Sequence, residues 1–434
     1  MLERIFKLRA NDTTVRTEIL AGFTTFITLA YIIFVNPAIL ADAGIPKEAA
    51  IAATIYATVV STLLMGLWAN FPIAVAPGMG LNAFFTYTVV LGMGLSWQTA
   101  LGAVFISGIV FLILTVTKIR QYIIEGVPSV LRSSIGVGIG LFIAFIGLKN
   151  AGIVVADEAT FVKMGDITNP GVYVSLIGLV IAAILMTRKI KGSILISILI
   201  TTILAMITGV QKLPASIGDI VSFNVPSLAP TFLQLDLAGA IHYGIFSIIF
   251  SFTIVELFDN IGTLIGLTKK AGMMDQDGKI NNIDRALTTD SIGTMTSALF
   301  GTSTVTSYIE SAAGIAEGGR TGLTAVTVAV LFLISLLFSP LIGLIPSVAT
   351  APALIIVGTL MLGEIANVKF EDFTEIFPAF LTIIMMPLTY SIATGLAFGF
   401  ISYTLIKLFT GKAKEVSIMM YIISIAFLIN FVLR

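Results

Sequence analysis

Four carboxylates stand out because they lie within or at the edge of long apolar stretches: Glu256, Asp259, Asp290 and Glu310. Glu256 and Asp259 belong to the stretch SIIFSFTIVELFDNIGTLIG. They are three residues apart, so a helix places them on one face. Ionisable residues at membrane depth are rare and mark functional sites by default.

Polar neighbours extend this face by one helical turn, because Asn260 follows Glu256 and Thr263 follows Asp259 at that spacing. No Lys or Arg is predicted at membrane depth beside these carboxylates. Without a cationic partner, a carboxylate in a low-dielectric environment favours its protonated form. Glu256, Asp259 and Glu310 are therefore predicted to couple transport to protons, and such groups also suit the N–H donors of a ligand.

Two of the four carboxylates have a competing structural interpretation. Glu256 is equally well explained as a carboxyl group that is hydrogen-bonded to a neighbouring helix. Asp290 follows ALTT and precedes SIGT at a predicted helix start, where an N-cap is its expected role. Asp290 is therefore predicted to be structural but close to the site.

Two interrupted segments, FPIAVAPGMGLNAFFTY and LFGTSTVTSYIESAAG, occupy matching places in the two halves of the chain. Pro77, Gly78 and Gly80 prevent a regular helix in the first, and Asn82 adds an amide where the helix restarts. Ser303–Ser307 in the second is a hydroxyl-rich, β-branched run that favours extended backbone. Such segments point to a transporter site, since lipid cannot satisfy their backbone groups. We expect two extended pieces to meet and to present backbone edges to a planar heterocycle.

These residues need a scaffold that crosses a membrane many times. Of the 434 residues, 57% are hydrophobic and 11% charged, whereas soluble domains have about 25% charged residues. A crossing takes roughly 20 residues, so the mean hydropathy of +1.04 predicts an all-α polytopic membrane protein with about fourteen segments. The predicted apolar runs are Leu20–Leu40, Ala49–Trp68, Ile73–Leu91, Thr99–Thr117, Ser134–Gly147, Val172–Met186, Ile194–Thr208, Gly239–Leu267, Ser291–Phe300, Thr304–Ile315, Leu323–Phe338, Pro352–Gly363, Phe377–Tyr390 and Ile392–Phe409.

The residue inventory excludes several classes of function. The chain has no Cys, one His, and 24 basic against 24 acidic residues. It therefore cannot build a disulfide framework, a thiolate nucleophile or a His-rich metal site, and no nucleic-acid partner is indicated. No HExxH, GxSxG or Ser/Lys dyad occurs at membrane depth. No catalytic residue, metal or cofactor is predicted, and an intramembrane hydrolase is disfavoured.

The two halves of the chain resemble each other in a second place. VPSVLRSSIGVGIGLFIAFIG and IPSVATAPALIIVGTLMLG lie about half the chain length apart. With an odd number of crossings per half, this predicts a 7+7 inverted repeat, although chance similarity between apolar stretches is the alternative. Most Lys and Arg residues fall on the side of the N-terminus, which predicts a cytoplasmic N-terminus. The run DQDGKINNID lacks the spacing of a calcium loop and is predicted to turn at Asp277-Gly278, and the last run, Val416–Leu433, either crosses the membrane or lies on its surface.

The motifs APGMGLNAFFTY, ELFDNIGTLIG and GTSTVTSYIESAAGIAEGGRTGLTA resemble those of the AzgA-like adenine/guanine/hypoxanthine permeases. These belong to the nucleobase:cation symporter, or nucleobase–ascorbate transporter, superfamily. The resemblance covers nearly the whole chain and implies a substrate-binding core domain that moves against a gate domain, with a homodimer formed through the gate. The implied ranges are 1–19 for an N-terminal cytoplasmic segment, 20–126 and 238–340 for the core, 127–210 and 341–409 for the gate, and 410–434 for a C-terminal apolar segment.

The same resemblance implies which residues bind the substrate. It assigns the principal eighth-crossing carboxylate to Asp259, although an alignment shifted by one turn would give that role to Glu256. The implied substrate-binding residues are Asp259, Glu310, Asn82, Gly80, Thr263, Tyr31, Ala30, Phe84 and Ser311, and Phe85 is a further candidate to cover the flat ring.

The expected function is import of purine nucleobases by proton symport across a prokaryotic plasma (inner) membrane. Sodium remains open as the coupling ion, and the sequence does not separate adenine from guanine or hypoxanthine. An anion carrier of the sulfate or bicarbonate type is the main alternative. It is disfavoured because an oxyanion site avoids unpaired carboxylates and uses helix N-termini or Arg.

Overall fold

The computed structural model describes residues 2–244, 248–274, 280, 282–367 and 372–433, so the predicted turn at Asp277-Gly278 lies outside the described residues. The chain is mostly helical, as its composition predicts. The first ten helices are α1 Leu2–Phe6, α2 Val15–Leu29, α3 Ile32–Asp42, α4 Lys47–Leu64, α5 Met79–Ala83, α6 Trp97–Val116, α7 Ile119–Gly126, α8 Ser129–Asn150, α9 Pro170–Thr187 and α10 Ser193–Ile207. The next ten are α11 Leu237–Gly244, α12 Phe250–Lys270, α13 Ile283–Phe300, α14 Ser311–Ala316, α15 Gly322–Ser335, α16 Ser339–Leu344, α17 Ser347–Met361, α18 Phe373–Leu388, α19 Ile392–Phe409 and α20 Ile418–Leu433.

Nine helical spans among the described residues are long and apolar enough to cross a membrane. They are Val15–Asp42, Lys47–Ala69, Trp97–Val116, Ser129–Asn150, Pro170–Thr187, Phe250–Lys270, Gly322–Leu344, Ser347–Ala366 and Ile392–Phe409. Shorter apolar helices follow at Met79–Gly92, Ser193–Ile207, Phe373–Leu388 and Ile418–Val432. The predicted class of an all-α polytopic membrane protein is confirmed, while the count of fourteen segments stays a prediction.

The third and tenth predicted segments each contain a short strand. The strands β1 Val75–Pro77 and β4 Val305–Ser307 pair antiparallel, with Ala76 opposite Thr306. Flanking bonds extend the pair, since Gly78 N donates to the carbonyl of residue 304 at 2.9 Å. Because the strands satisfy each other's backbone groups, the interrupted segments remain compatible with a buried position. The predicted extended pieces, and their meeting, are confirmed.

A second, peripheral hairpin joins β2 Val154–Asp157 to β3 Phe161–Met164 between α8 and α9. It was not predicted, because Val154–Asp157 is too short to distinguish from a loop by pattern. The hairpin has mostly exposed side chains and lies outside the polar site described below.

The helices pack in two groups. In the first, α13 packs on α6 and α4, and α15 packs on α2 and α4. In the second, α17 and α18 pack on α8, α18 packs on α19, and α9 packs on α10 and α17. The pair of strands belongs with the first group, since β1 contacts α4 and β4 contacts α12 and α13. The core and gate domains, which concern how such groups move, stay a prediction.

Candidate substrate-binding site

The strand β4 organises the polar residues around it. Successive side chains of a strand point to opposite sides, and two carboxylates follow this alternation. Asp259 of α12 lies beside Thr306, whereas Asp290 of α13 accepts a hydrogen bond from Ser307 Oγ at 3.4 Å. Two carboxylates from different helices therefore lie on opposite sides of one short strand.

On one side, Asp259 and Glu310 form what we call the accessible pair, because both side chains are partly exposed. Glu310 follows β4, and its Oε1 accepts a hydrogen bond from the Tyr31 hydroxyl at 2.6 Å. Both carboxylates interact electrostatically with Tyr308, the residue directly after β4. This side of β4 therefore has two partly exposed carboxylates backed by two buried tyrosines.

Tyr31 reaches Glu310 because the first crossing is broken at this point. Helix α2 ends at Leu29 and α3 begins at Ile32, which leaves Ala30 and Tyr31 between them. Both residues are buried, at 3% and 1% exposed. Tyr31 contacts Glu310, whereas Ala30 lies at the break without such a contact. The predicted role of both residues in substrate binding stays a prediction.

On the other side, Glu256 and Asp290 form the buried pair, and both are 0% exposed. Glu256 Oε1 accepts a hydrogen bond from Thr294 Oγ1 at 2.6 Å, and its Oε2 has no partner among the described residues. Asp290 accepts a short hydrogen bond from the amide of Asn260. In the described part of the chain, no group of three or more His, Cys, Asp or Glu residues is arranged to hold a metal ion.

The predicted N-cap role of Asp290 is wrong. Helix α13 begins at Ile283, two turns before Asp290, so Asp290 lies inside the helix. Its side chain bonds α12 through Asn260 and β4 through Ser307. Asp290 therefore connects the strand to two helices instead of satisfying backbone N–H groups at a helix start.

The prediction that no basic residue lies beside these carboxylates is also wrong. Arg120 of α7 is 2% exposed, and its guanidinium interacts electrostatically with Asp290 and Glu256. In the sequence, Arg120 follows Lys118 in a short polar stretch after the fourth crossing, where the bias of basic residues predicts the cytoplasmic end. No local signal distinguishes an arginine that folds back toward the membrane interior from one that faces water.

The third-crossing residues surround the start of α5. Asn82 is 0% exposed, and neither Oδ1 nor Nδ2 has a hydrogen-bond partner among the described residues. Gly80 lies against α8, since a Cβ at that position would be 2.7 Å from Ile139 Cγ2. Asn82 thus offers an unused donor and acceptor, whereas Gly80 allows a close contact between the two helix groups.

Three further predicted residues have structural contacts. The Phe84 ring meets the Phe252 ring edge to face, with centroids 4.9 Å apart. Ser311 Oγ accepts a hydrogen bond from the Ala74 N–H at 3.0 Å, which ties α14 to the residue before β1. Thr263 Oγ1 donates to a carbonyl one turn earlier in α12, at 3.2 Å. Their roles in substrate binding stay predictions.

Two buried polar residues were missed by the sequence analysis. Asn36 donates from Nδ2 to Thr54 Oγ1 at 2.7 Å and to Thr302 Oγ1 at 3.0 Å. Glu18 accepts from the N–H and the hydroxyl of Thr324, at 3.1 and 2.6 Å, near the start of α15. An Asn-Pro dipeptide inside the first apolar run was the available signal for Asn36. Glu18 lies two residues before that run and resembles a residue at a membrane surface.

The fold of this chain is shared with a solved membrane protein. The chain is similar to the transmembrane domain of a cyanobacterium bicarbonate transporter, BicA, with a TM-score of 0.64 and 16% sequence identity, covering 88% of this chain and 96% of that one. At this identity the likeness concerns the fold alone. It agrees with the inverted-repeat architecture predicted from the matching segments.

Sequence comparison narrows the class. The chain is 47% identical to adenine permease AdeP of Escherichia coli (strain K12), covering 100% of this chain and 96% of AdeP. It is 46% identical to guanine/hypoxanthine permease PbuO of Bacillus subtilis (strain 168), covering 98% and 99%. Residues 16–398 match the Permease family Xan_ur_permease. The chain belongs to this family, the nucleobase–ascorbate transporter family, and is a permease, not an enzyme.

Proposed function

We propose that this permease imports purine nucleobases, with adenine, guanine and hypoxanthine as candidates, by proton symport across the plasma membrane. The observation that carries the proposal is the accessible pair on one side of β4. A purine has ring and exocyclic N–H donors that match carboxylates, and charge-assisted hydrogen bonds are the strong ones. Relatives that are named adenine and guanine/hypoxanthine permeases support this substrate class.

Around the accessible pair, we assign further groups to the base. The Asn82 amide has both a donor and an acceptor free among the described residues, which suits a ring nitrogen beside an N–H. Aromatic side chains of Tyr31 and Phe84 provide flat apolar surface. Gly80, Thr263, Ser311 and Ala30 complete the proposed lining.

Proton coupling is proposed for Asp259, Glu310 and Glu256. A carboxylate that binds a proton together with the base and releases both on the other side would couple the two fluxes. Sodium coupling is the alternative, with carboxylate and carbonyl oxygens as ligands. The amide and carboxylate oxygens around β4 suit either coupling ion. Transport measurements must therefore distinguish protons from sodium.

An anion carrier of the same fold is the other candidate, since BicA is a bicarbonate transporter. An anion approaching β4 from the accessible side would meet Asp259 and Glu310, which repel negative charge when ionised. A neutral base with N–H groups is therefore favoured.

Movement and assembly follow the family pattern in our proposal. The core, 20–126 and 238–340, would carry the base past a gate formed by 127–210 and 341–409. The N-terminus would be cytoplasmic, and two copies would associate through the gate. Gly80 against Ile139 is one contact across which the two groups would slide.

The test is uptake by purified protein in sealed proteoliposomes. Labelled adenine, guanine and hypoxanthine are added outside under three conditions: an acidic exterior, an inward sodium gradient at equal pH, and an acidic exterior with a protonophore. We expect accumulation of at least one base only in the first condition. Accumulation that follows the sodium gradient would show that sodium, not the proton, is the coupling ion. Uptake of bicarbonate or sulfate, with no base transported, would overturn the proposal.

A further inference from the structure

Arg120 is a buried cation without a hydrogen-bond partner among the described residues. All three of its guanidinium nitrogens are buried and unpaired. Its Cζ lies 4.2 Å from the centroid of the Phe111 ring, within cation–π range. An arginine side chain stays protonated in proteins. The aromatic ring compensates only part of this buried charge, so an anionic partner is expected nearby.

Helix contacts locate the charge beside the buried pair. A Cβ on Gly108 of α6 would lie 3.2 Å from Thr294 Cγ2, and Thr294 is the residue that donates to Glu256. Phe111 follows Gly108 by one turn of α6, and Asp290 lies one turn from Thr294 on α13. The guanidinium over Phe111 is therefore close to the layer that holds both buried carboxylates.

The charges around Arg120 are unequal in sign. Its guanidinium interacts electrostatically with Asp290 and with Glu256. Of the helices that pack against α7, α6 and α20 contain no Asp, Glu, Lys or Arg. Helix α12 brings Glu256 and Asp259, and its two lysines, Lys269 and Lys270, lie in its last turn. Glu256 Oε2 is itself unpaired. The same layer thus contains unused donors on the cation and an unused acceptor on the carboxylate.

We propose that Arg120 is a positioning residue of the transport site: it supplies the counter-charge of the buried pair and so fixes Glu256 and Asp290 behind β4. The role rests on the proposed function only in taking β4 as the place where the base binds. A guanidinium fork matches carboxylate geometry.

The first test is a thermal-unfolding cycle on purified protein without substrate. The variants are R120Q, E256Q, D290N, R120Q/E256Q and R120Q/D290N. R120Q leaves Glu256 and Asp290 without their counter-charge, and neutralising one carboxylate in each double variant removes part of that excess negative charge. We expect R120Q to lower the melting temperature by about 5 °C. E256Q should lower it by less, because Asp290 remains as a partner for Arg120. The melting temperature of R120Q/E256Q should fall by much less than the sum of the two single losses.

Matched variants separate charge from packing. Lys118 is exposed and lies two residues before Arg120. K118Q therefore removes a positive charge at the surface, and the variant should melt like the wild type. R120M keeps an apolar stem that packs on Phe111 but has no charge, and R120K keeps the charge. If charge decides, R120K should be close to the wild type and R120M close to R120Q. The opposite order would show that Arg120 only fills space.

Uptake in proteoliposomes provides the functional test. Because Arg120 does not lie on the accessible side of β4, R120Q and R120M should lower the maximal rate by about tenfold or more while KM changes less than about threefold. R120K should recover most of the rate, and K118Q should keep it. An unchanged rate in R120Q, or a change in KM alone, would overturn the positioning role.

The two tests fail in distinguishable ways. If the wild type transports no base, the proposed function fails, yet the unfolding cycle still measures whether Arg120 compensates the buried pair. If the wild type transports a base and the cycle is additive with both E256Q and D290N, the inference about Arg120 alone is wrong. If R120Q cannot be purified, recovery of folded protein in R120Q/E256Q supports the inference, and failure of both R120K and that double variant contradicts it.

Discussion

The accessible pair and the buried pair consist of the same residue types but have different environments. Asp259 and Glu310 are partly exposed, and Glu310 bonds a tyrosine hydroxyl. Glu256 and Asp290 are 0% exposed and bond Thr294 and Asn260, with Arg120 nearby. Glu256 and Asp259 are only three residues apart, yet Glu256 is fully buried and Asp259 is partly exposed.

This difference shows how the strand separates two tasks. A carboxylate that binds a substrate must be reachable and must exchange its partners during transport. A carboxylate that is fully buried with fixed partners stabilises the arrangement of helices, because its hydrogen bonds and counter-charge are lost if the helices separate. We therefore expect substitutions in the accessible pair to change transport without a loss of stability, and those in the buried pair to lower stability together with the maximal transport rate.

The largest expected effect is that of Asp259→Asn. The change preserves size and hydrogen-bonding capacity but removes the titratable group. We expect concentrative base uptake in proteoliposomes to be lost while the melting temperature stays near that of the wild type. Accumulation at the wild-type level would show that Asp259 does not couple transport.

Glu310→Gln should weaken binding of the base by one to two decades. A hydrogen bond to a charged group contributes roughly 1.5–3 kcal/mol, and the variant loses that charge. Binding is measured by titration with labelled adenine and guanine. The matched control is Tyr31→Phe. It removes only the hydroxyl that donates to Glu310 and should have a smaller effect. Equal affinity in Glu310→Gln and the wild type would make Glu310 structural.

A third comparison tests which of Glu256 and Asp259 contacts the base and which stabilises the fold. Glu256→Gln should lower the melting temperature and leave the ranking of adenine, guanine and hypoxanthine unchanged, because Glu256 is sealed behind β4. Asp259→Glu lengthens the side chain by about 1.5 Å into a site for a flat ring, so it should change the ranking with little effect on melting. Competition binding and melting curves are measured on both variants. The reverse pattern would assign the substrate contact to Glu256 and the structural role to Asp259.

The smallest effects compare adjacent residues of β4. Thr306→Val, on the side of Asp259, should change KM by a few-fold without a measurable change in melting. Ser307→Ala removes a 3.4 Å bond to Asp290 and should cost less than about 1 kcal/mol of stability with KM unchanged. If both variants affect the same property, the two sides of the strand do not have separate tasks.

Much of the fold was predictable from local patterns. The apolar runs and the low charge content determine that the chain crosses a membrane many times. Pro77 and Gly78, and the run Ser303–Ser307, determine where regular helices must stop, because these residues disfavour helix wherever they occur. The carboxylates Asp259 and Glu310 were also identifiable, since an acidic residue in an apolar segment is conspicuous without knowledge of its neighbours.

The partners of those residues were decided by tertiary structure alone. The pairing of β1 with β4, the bond of Asp290 to Asn260 and the approach of Arg120 to the buried pair join residues far apart in the chain. Asp290 was misassigned because Thr-Thr-Asp-Ser has the composition of a helix start, while the polar residues before it are helical through packing. Sequence thus determined which segments enter the membrane and which polar groups enter with them. Only the folded chain decided which side of β4 each group faces, because burial and charge compensation depend on helices that meet in space.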